Sequence, residues 1–390
     1  VTTGESPRRV YLDHASTSPL RPAAYEAMLP FLRDHHGDPG RVHTEGHVTR
    51  TAVEAARQDV SSAVGARPRE VVFTSGGTEA VNAAVFGAVE RARVRTGSAG
   101  RIVVGAVEHS AVLDATRRSG AEVVVVGVDG LGRYDHEEVL AAVDATDGET
   151  SLVSVQLANH EVGTVQPVEE VVRGCRERGA LVHVDACAAF GALPVDFAGL
   201  GADLCSVTAH KAGGPKGVGA LLVRQGLRVP PFVVGGAQER ARRGGIENVP
   251  AIVGFGAAAC EVRDHVDADA ARFRALTDRL ATEAVAEVDG LDRYGDPARR
   301  LANLVCIGVQ GIEAEPVLLG LDQRGVACHS GSACSSETLE PSPVLEAMGV
   351  DAERSLRVSV GWSSTDDDVD AFLTALPPVV EALRALYAGA

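Results

Sequence analysis

Aromatic residues are scarce in this chain of 390 residues, at 4%, with one Trp and five Tyr. The formal net charge is −16, and no basic cluster with interleaved aromatics occurs. That combination argues against direct nucleic-acid binding while leaving room for a basic protein partner. No apolar run approaches the roughly 20 residues a membrane-crossing helix needs. The first residues, VTTGESPRRVYLD, lack the apolar stretch of a secretory signal. Seven cysteines (175, 187, 205, 260, 306, 328 and 334) are scattered without C-x-x-C spacing. Neither a zinc site nor a disulfide framework is expected, and a reducing, cytoplasmic setting fits. The Walker A pattern, the dinucleotide fingerprint and internal repeats are all missing.

What is present is an α/β pattern. Short valine-rich runs at Glu70–Thr74, Arg101–Gly105, Glu122–Val126, Leu152–Leu157, Leu181–Asp185, Leu204–Thr208 and Gly219–Val223 predict seven strands. Amphipathic stretches at Val48–Val64, Glu79–Arg93 and Val168–Arg178 predict helices between them. Near-continuous apolar strands alternating with helices predict a mostly parallel sheet covered on both faces. After Pro250 a long alanine-rich helical pattern runs to about Val288. Strand patterns follow at Asn303–Val309 and Ser355–Val360, then a helix over roughly Asp366–Tyr387. Two domains are expected: 15–252, and a smaller α+β unit of 1–14 with 253–390.

Four places carry chemistry. In LCSVTAHKAGGPKGVGAL, Lys211 follows a buried strand and precedes a glycine-rich loop, where a Schiff-base lysine would be partly desolvated. A surface lysine in a turn is the bland alternative. In VVFTSGGTEAVN, a strand leads through glycines into a helix at Thr78–Glu79, an anion site by its backbone N–H groups. In ALVHVDACAAF, Asp185 ends a buried strand, where a carboxylate needs a partner such as a pyridinium N–H. A helix cap is the alternative there. In an open α/β sheet, Thr78, Asp185 and Lys211 would all lie at carboxyl ends of strands, where ligands bind. His109, in AVEHSAVLD, would then lie near a bound ring.

The fourth place is RGVACHSGSACSSETLEPSPVLEAMGV. Cys334, among small polar residues, is a candidate nucleophile on an exposed loop of about 327–340. Cys328 competes but follows a strand-like run. The other five thiols read as packing residues. Arg357 lies in a short apolar strand and needs an anion, either a substrate carboxylate or a structural carboxylate.

With these motifs assembled, the chain resembles the cysteine desulfurases of the NifS/IscS type, which are class V aminotransferase-family enzymes of fold type I. The resemblance runs from YLDHASTSPLRP through DPGRVHTEG, FTSGGTEAVN, EHSAVL, NHEVGTVQP, HVDA, HKAGGPKGVGAL, GGAQERARRGGIEN, SGSACSSETLEPS and LRVSVG. It implies pyridoxal 5'-phosphate as cofactor and no metal. It implies Lys211 as the Schiff-base lysine, Asp185 at the pyridine nitrogen, and His109 as a catalytic residue stacked on the ring and helping proton transfer. Gly77, Thr78, Thr208 and His210 would hold the phosphate. Arg357 and Asn159 would serve the substrate, L-cysteine. Cys334 would take its sulfur as a persulfide, releasing alanine, and pass it to an acceptor. That acceptor could belong to iron–sulfur cluster biogenesis or another sulfur-transfer route. The resemblance also implies a homodimer.

Three positions depart from the family pattern. His160 replaces the second of two asparagines, Ala188 replaces a glutamine, and Ile246 replaces a threonine. Each removes or alters a hydrogen bond to a cofactor, at Ile246 the one bound by the partner copy, worth about 1.5–3 kcal/mol. They keep open another reaction on this fold, a C–S lyase or an aminotransferase, or a non-catalytic subunit.

Overall fold

A computed structural model describes residues 9–145, 148–330 and 341–388. The strands are β1 Val10–Tyr11, β2 Val71–Thr74, β3 Arg101–Gly105, β4 Glu122–Val126, β5 Thr150–Gln156, β6 Val182–Asp185 and β7 Leu204–Thr208. They continue as β8 Gly219–Val223, β9 Leu291–Tyr294, β10 Leu304–Val309, β11 Val326–Ala327, β12 His329–Ser330 and β13 Ser355–Ser359. A seven-stranded sheet has the order β2-β8-β7-β6-β5-β3-β4. Only β8 is antiparallel to its neighbours. The last residues of β2, β3, β5, β6 and β7 therefore share one edge.

Burial explains the valine-rich strands. On one face Val103, Val153, Val184 and Val207 join one core, while Ile102, Val104, Leu152 and Leu204 join another across the sheet. Period-two alternation of two buried faces leaves little room for polar residues along a central strand, and Ser154, His183 and Ser206 are buried there only by hydrogen-bonding one another. Edge strand β4 is the exception, with Val125 exposed.

A second, four-stranded antiparallel sheet has the order β12-β13-β10-β9. It shares a core with Val10, Leu12, Leu280, Phe372 and Leu376. The Val249–Glu287 helix spans both cores: Ile252 and Phe255 pack into the first, Phe273 and Leu280 into the second. Strand β1 pairs in parallel with β11, so the N-terminal segment is stitched to the second unit. Strands β1 and β9 escape sequence reading because two residues, or four with a polar middle, carry too little periodicity. Among the described residues no helix is long and apolar enough to cross a membrane.

Candidate active site

One cleft opens at the carboxyl edge of the large sheet. The turn after β2 contributes Gly77 and Thr78. The Gly77–Thr96 helix is preceded by Gly76, which offers no capping side chain, so first-turn N–H groups are left for a ligand. A Cβ on Gly77 would sit 2.7 Å from Cys187 Sγ and 3.5 Å from Thr208 Cβ, so glycine is required by close approach. Ser75 N–H donates to Glu79 Oε2 at 2.9 Å, and Glu79 is itself paired with Arg243. This fixes the turn from the side away from the cleft.

The segment after β3 contributes His109. It caps the Ser110–Arg118 helix, its Nδ1 accepting from Ala111 N–H at 3.0 Å. Strands β5 and β6 place Gln156 beside Asp185 in register. Asp185 is 7% exposed, and its Oδ1 accepts from Cys187 N–H at 2.9 Å. From β7 come Thr208, His210 and half-buried Lys211. Thr208 Oγ1 is buried with no hydrogen-bond partner among the described residues. An orphaned buried hydroxyl is costly, and here it lies beside the uncapped start of the Gly77–Thr96 helix.

Burial dominates the electrostatics. It lowers His109 to about 3, helped by His160 and Lys211, and lowers His160 to about 3, helped by Lys211 and Arg357. His210 falls to about 4, again chiefly by burial. The cleft thus presents neutral imidazoles, with the His109 and His160 rings 4.9 Å apart at 59°. Behind them burial raises Glu161 to about 7, while Ser342 Oγ donates to its Oε2. Burial likewise raises Glu108 to about 8; its Oε1 accepts from Tyr134 Oη at 2.5 Å and Gln156 N–H at 2.7 Å.

Gly77, Thr78, His109, His160, Asp185, Thr208, His210 and Lys211 all line the cleft. Asn159 and Arg357 do not line it. Asn159 is fully buried: its Nδ2 donates to Val107 O, and its Oδ1 accepts from Glu161 and Val162 N–H at 2.8 Å each. Arg357, 2% exposed, lies behind His160, donating to its carbonyl at 3.0 Å. It also donates to Asp13 Oδ1 at 3.0 Å and Ser16 Oγ at 2.6 Å. The anion it meets here is therefore Asp13. Cys334 lies outside the described residues. Cys328 is half-buried, and burial pushes its thiol up to about 12.

Sequence reading missed two cleft residues. Cys187 belongs to the cleft wall rather than to the packing thiols, its own acidity suppressed by burial and by Asp185. Gln156 also lines it; a polar residue ending a valine-rich strand was the available signal. A second unused signal is composition: Lys211 and Lys216 are the only two lysines in the chain. Of the three departures, His160 and Ala188 line the cleft, whereas Ile246 is exposed elsewhere.

A buried carboxylate, a lysine, an orphaned hydroxyl and an uncapped helix start fit pyridoxal phosphate, which needs a partner for each of its pyridine nitrogen, aldehyde and phosphate.

The sequence profile of the Aminotransferase class-V family matches residues 10–372. Cysteine desulfurase IscS 1 of Archaeoglobus fulgidus is 41% identical over 382 residues, covering 96% of this chain and 98% of that protein. A cysteine desulfurase of Trichormus azollae is 40% identical, covering 97% and 94%. Among solved structures, a NifS-like protein superposes with a TM-score of 0.87 at 32% identity, covering 96% of this chain and 99% of that one. SspA in complex with cysteine superposes with a TM-score of 0.78 at 27% identity, covering 90% and 98%.

Proposed function

The chain belongs to the aminotransferase class-V family and is a pyridoxal-phosphate-dependent cysteine desulfurase, and we propose that the cleft residues just described carry that activity. Bound pyridoxal phosphate supplies an electron sink for the bonds at the substrate Cα. Lys211 would hold the cofactor through Nζ and would move a proton at the substrate Cα. Asp185 pairs with the pyridine nitrogen, with Cys187 N–H holding its other contact in place. Gly77 and Thr78 N–H groups, Thr208 Oγ1 and His210 hold the phosphate. His109 packs on the ring as a neutral imidazole, so no second cation competes for Asp185.

The Cys334 thiolate attacks the sulfur of L-cysteine. The Cβ–S bond breaks as the S–S bond forms, leaving alanine after protonation at Cβ and a persulfide on Cys334. The persulfide then passes to a sulfur-acceptor protein. A surface of net charge −16 suits a basic acceptor. Arg357 serves the substrate carboxylate by taking it in exchange for Asp13, the carboxylate it holds behind His160. The chain acts as a homodimer in the cytoplasm; exposed Val42, Phe232, Val234 and Ile246 supply apolar surface for a second copy.

The observation that carries this reading is the meeting of Asp185, Lys211 and the orphaned Thr208 hydroxyl at the ends of two adjacent strands. The test is to incubate cofactor-loaded protein with L-cysteine and a reductant, and to quantify alanine and sulfide. Equal amounts of both that vanish in Cys334→Ser support it. Pyruvate, or alanine indifferent to Cys334, assigns the cleft to C–S lyase or other chemistry. Borohydride reduction followed by peptide mapping should place the cofactor on Lys211 rather than Lys216, and Lys211→Ala should abolish the bond.

A further inference from the structure

The N-terminal segment connects the two charged groups on which the proposed function rests. At one end, Asp13 Oδ1 accepts from Arg357 Nη2, and Ser16 Oγ joins both groups, accepting from Arg357 and donating to Asp13 at 2.9 Å. At the other end, Ser18 N–H donates to His210 O at 2.9 Å, and Ser18 Oγ donates to Lys211 O at 2.9 Å. Between them lies His14, 2% exposed.

The protons around His14 can be assigned. A carbonyl only accepts, so the Ser18 hydroxyl proton points to Lys211 O. Ser18 Oγ, 3.0 Å from His14 Nδ1, must then accept from Nδ1–H. Gly361 N–H donates to Ser364 Oγ at 3.0 Å, and the Ser364 hydroxyl proton points to His14 Nε2 at 3.2 Å. The chain Gly361, Ser364, His14, Ser18, Lys211 therefore runs in one direction through a neutral ring. Its packing is close: a Cβ on Gly361 would fall 2.0 Å from Nδ1. The edge of Tyr11 meets the ring at 5.2 Å. Burial holds His14 to about 4, outweighing the pull of Asp13, Asp368 and the Tyr11 carbonyl, while Arg272 pushes the same way as burial.

We propose that His14, as the neutral Nδ1–H tautomer, is a positioning residue that sets Arg357 at its working distance from Lys211. It touches neither substrate nor cofactor. Its ring ties Ser364, in the turn that follows the strand carrying Arg357, through Ser18 to the backbone of the lysine turn. The proposal rests on the assignment of Lys211 and Arg357 to cofactor and substrate.

The test has two arms on the cofactor-loaded enzyme. Histidine labelled with 15N, with His14→Phe used to assign the signal, should show protonated Nδ1 and bare Nε2 at pH 7. A bare Nδ1 or a charged ring would overturn the proposal without any kinetics. In the second arm, His14→Phe should raise KM for L-cysteine about tenfold, the worth of one hydrogen bond, with a smaller effect on kcat. His14→Asn keeps an amide N–H toward Ser18 and should recover most of that loss. An unchanged KM in His14→Phe, or equal defects in the two variants, would overturn it. If His14→Phe does not fold, His14→Asn assigns the signal and the wild-type tautomer still decides. Failure of the underlying assignment is separable, because it appears as a borohydride-reducible bond surviving in Lys211→Ala.

Discussion

Arg57 and Glu239 meet in a two-point ion pair, with both N–O distances 2.7 Å and both side chains almost wholly buried. The same carboxylate accepts from Phe73 N–H at 2.9 Å, and the guanidinium lies 4.8 Å above the Phe73 ring. The backbone at Glu239, Arg240 and Ala241 is left-handed, with φ of 47°, 58° and 60°. Such a conformation costs about 1–2 kcal/mol per non-glycine residue, so the buried pair has to hold it.

Glu239→Ala should therefore destabilise the protein by about 3–5 kcal/mol, because it leaves a buried guanidinium with only the part-exposed Glu54 as counter-charge. Denaturant unfolding measures this. Glu239→Gln, which keeps one amide oxygen for Phe73 N–H, should lose less.

Thr208→Val should separate folding from cofactor binding. The hydroxyl is buried and orphaned among the described residues, so the cofactor-free protein should lose no stability. Removing a hydrogen bond to a charged phosphate should weaken pyridoxal phosphate binding by about 1.5–3 kcal/mol, roughly 10- to 100-fold. Equilibrium dialysis and thermal unfolding of the cofactor-free protein report the two effects independently.

Gly77→Ala should block the cleft from its floor. The new methyl would press on Cys187 Sγ at 2.7 Å, while Thr208 Cβ at 3.5 Å is ordinary contact. Cofactor loading, followed by absorbance, should fall sharply, and Gly77→Ala combined with Cys187→Ala should restore it in part. Cys187→Ala alone should load normally.

Buried histidines should make the fold acid-sensitive. His183 sits in the centre of the sheet, Nδ1 2.9 Å from Ser154 Oγ and Nε2 2.8 Å from Ser206 Oγ, and burial lowers it to about 4. A histidine with a depressed folded pKa contributes stability above its unfolded value near 6.5. That stability is lost as pH falls toward 4, because the unfolded chain takes up the proton first. His183 alone should account for on the order of 3 kcal/mol across that window. Unfolding free energy measured from pH 7 to 4 should fall less steeply in His183→Gln than in the parent.

The sequence by itself determined the strand and helix periodicities. Strands at Arg101–Gly105, Glu122–Val126, Leu204–Thr208 and Gly219–Val223 lie where the valine-rich runs put them. The helix after Pro250 also ends within a residue of its alanine-rich pattern. Local composition suffices there, because a β-branched run of strand length bounded by turn residues is too short for a helix, even at the partly exposed edge strand Glu122–Val126. It also determined most of the cleft, since a polar residue closing an apolar strand must sit at the sheet's carboxyl edge. Asp185 and Lys211 were legible on that ground, whereas Thr208 came from the family resemblance.

The tertiary structure alone decided the partners of those residues. Arg357 and Asp13 are 344 positions apart, and Ser18 and Lys211 are 193 apart. No local pattern encodes such pairings. They arise because β1 adds to β11 and carries the following segment between the two cores. Cys187 shows the same division. Its sequence context is that of a packing thiol, and only the close approach of the Gly77 turn makes it part of the cleft wall. Short-range periodicity records which face of an element is buried, whereas the neighbours on that face are set by how distant elements pack.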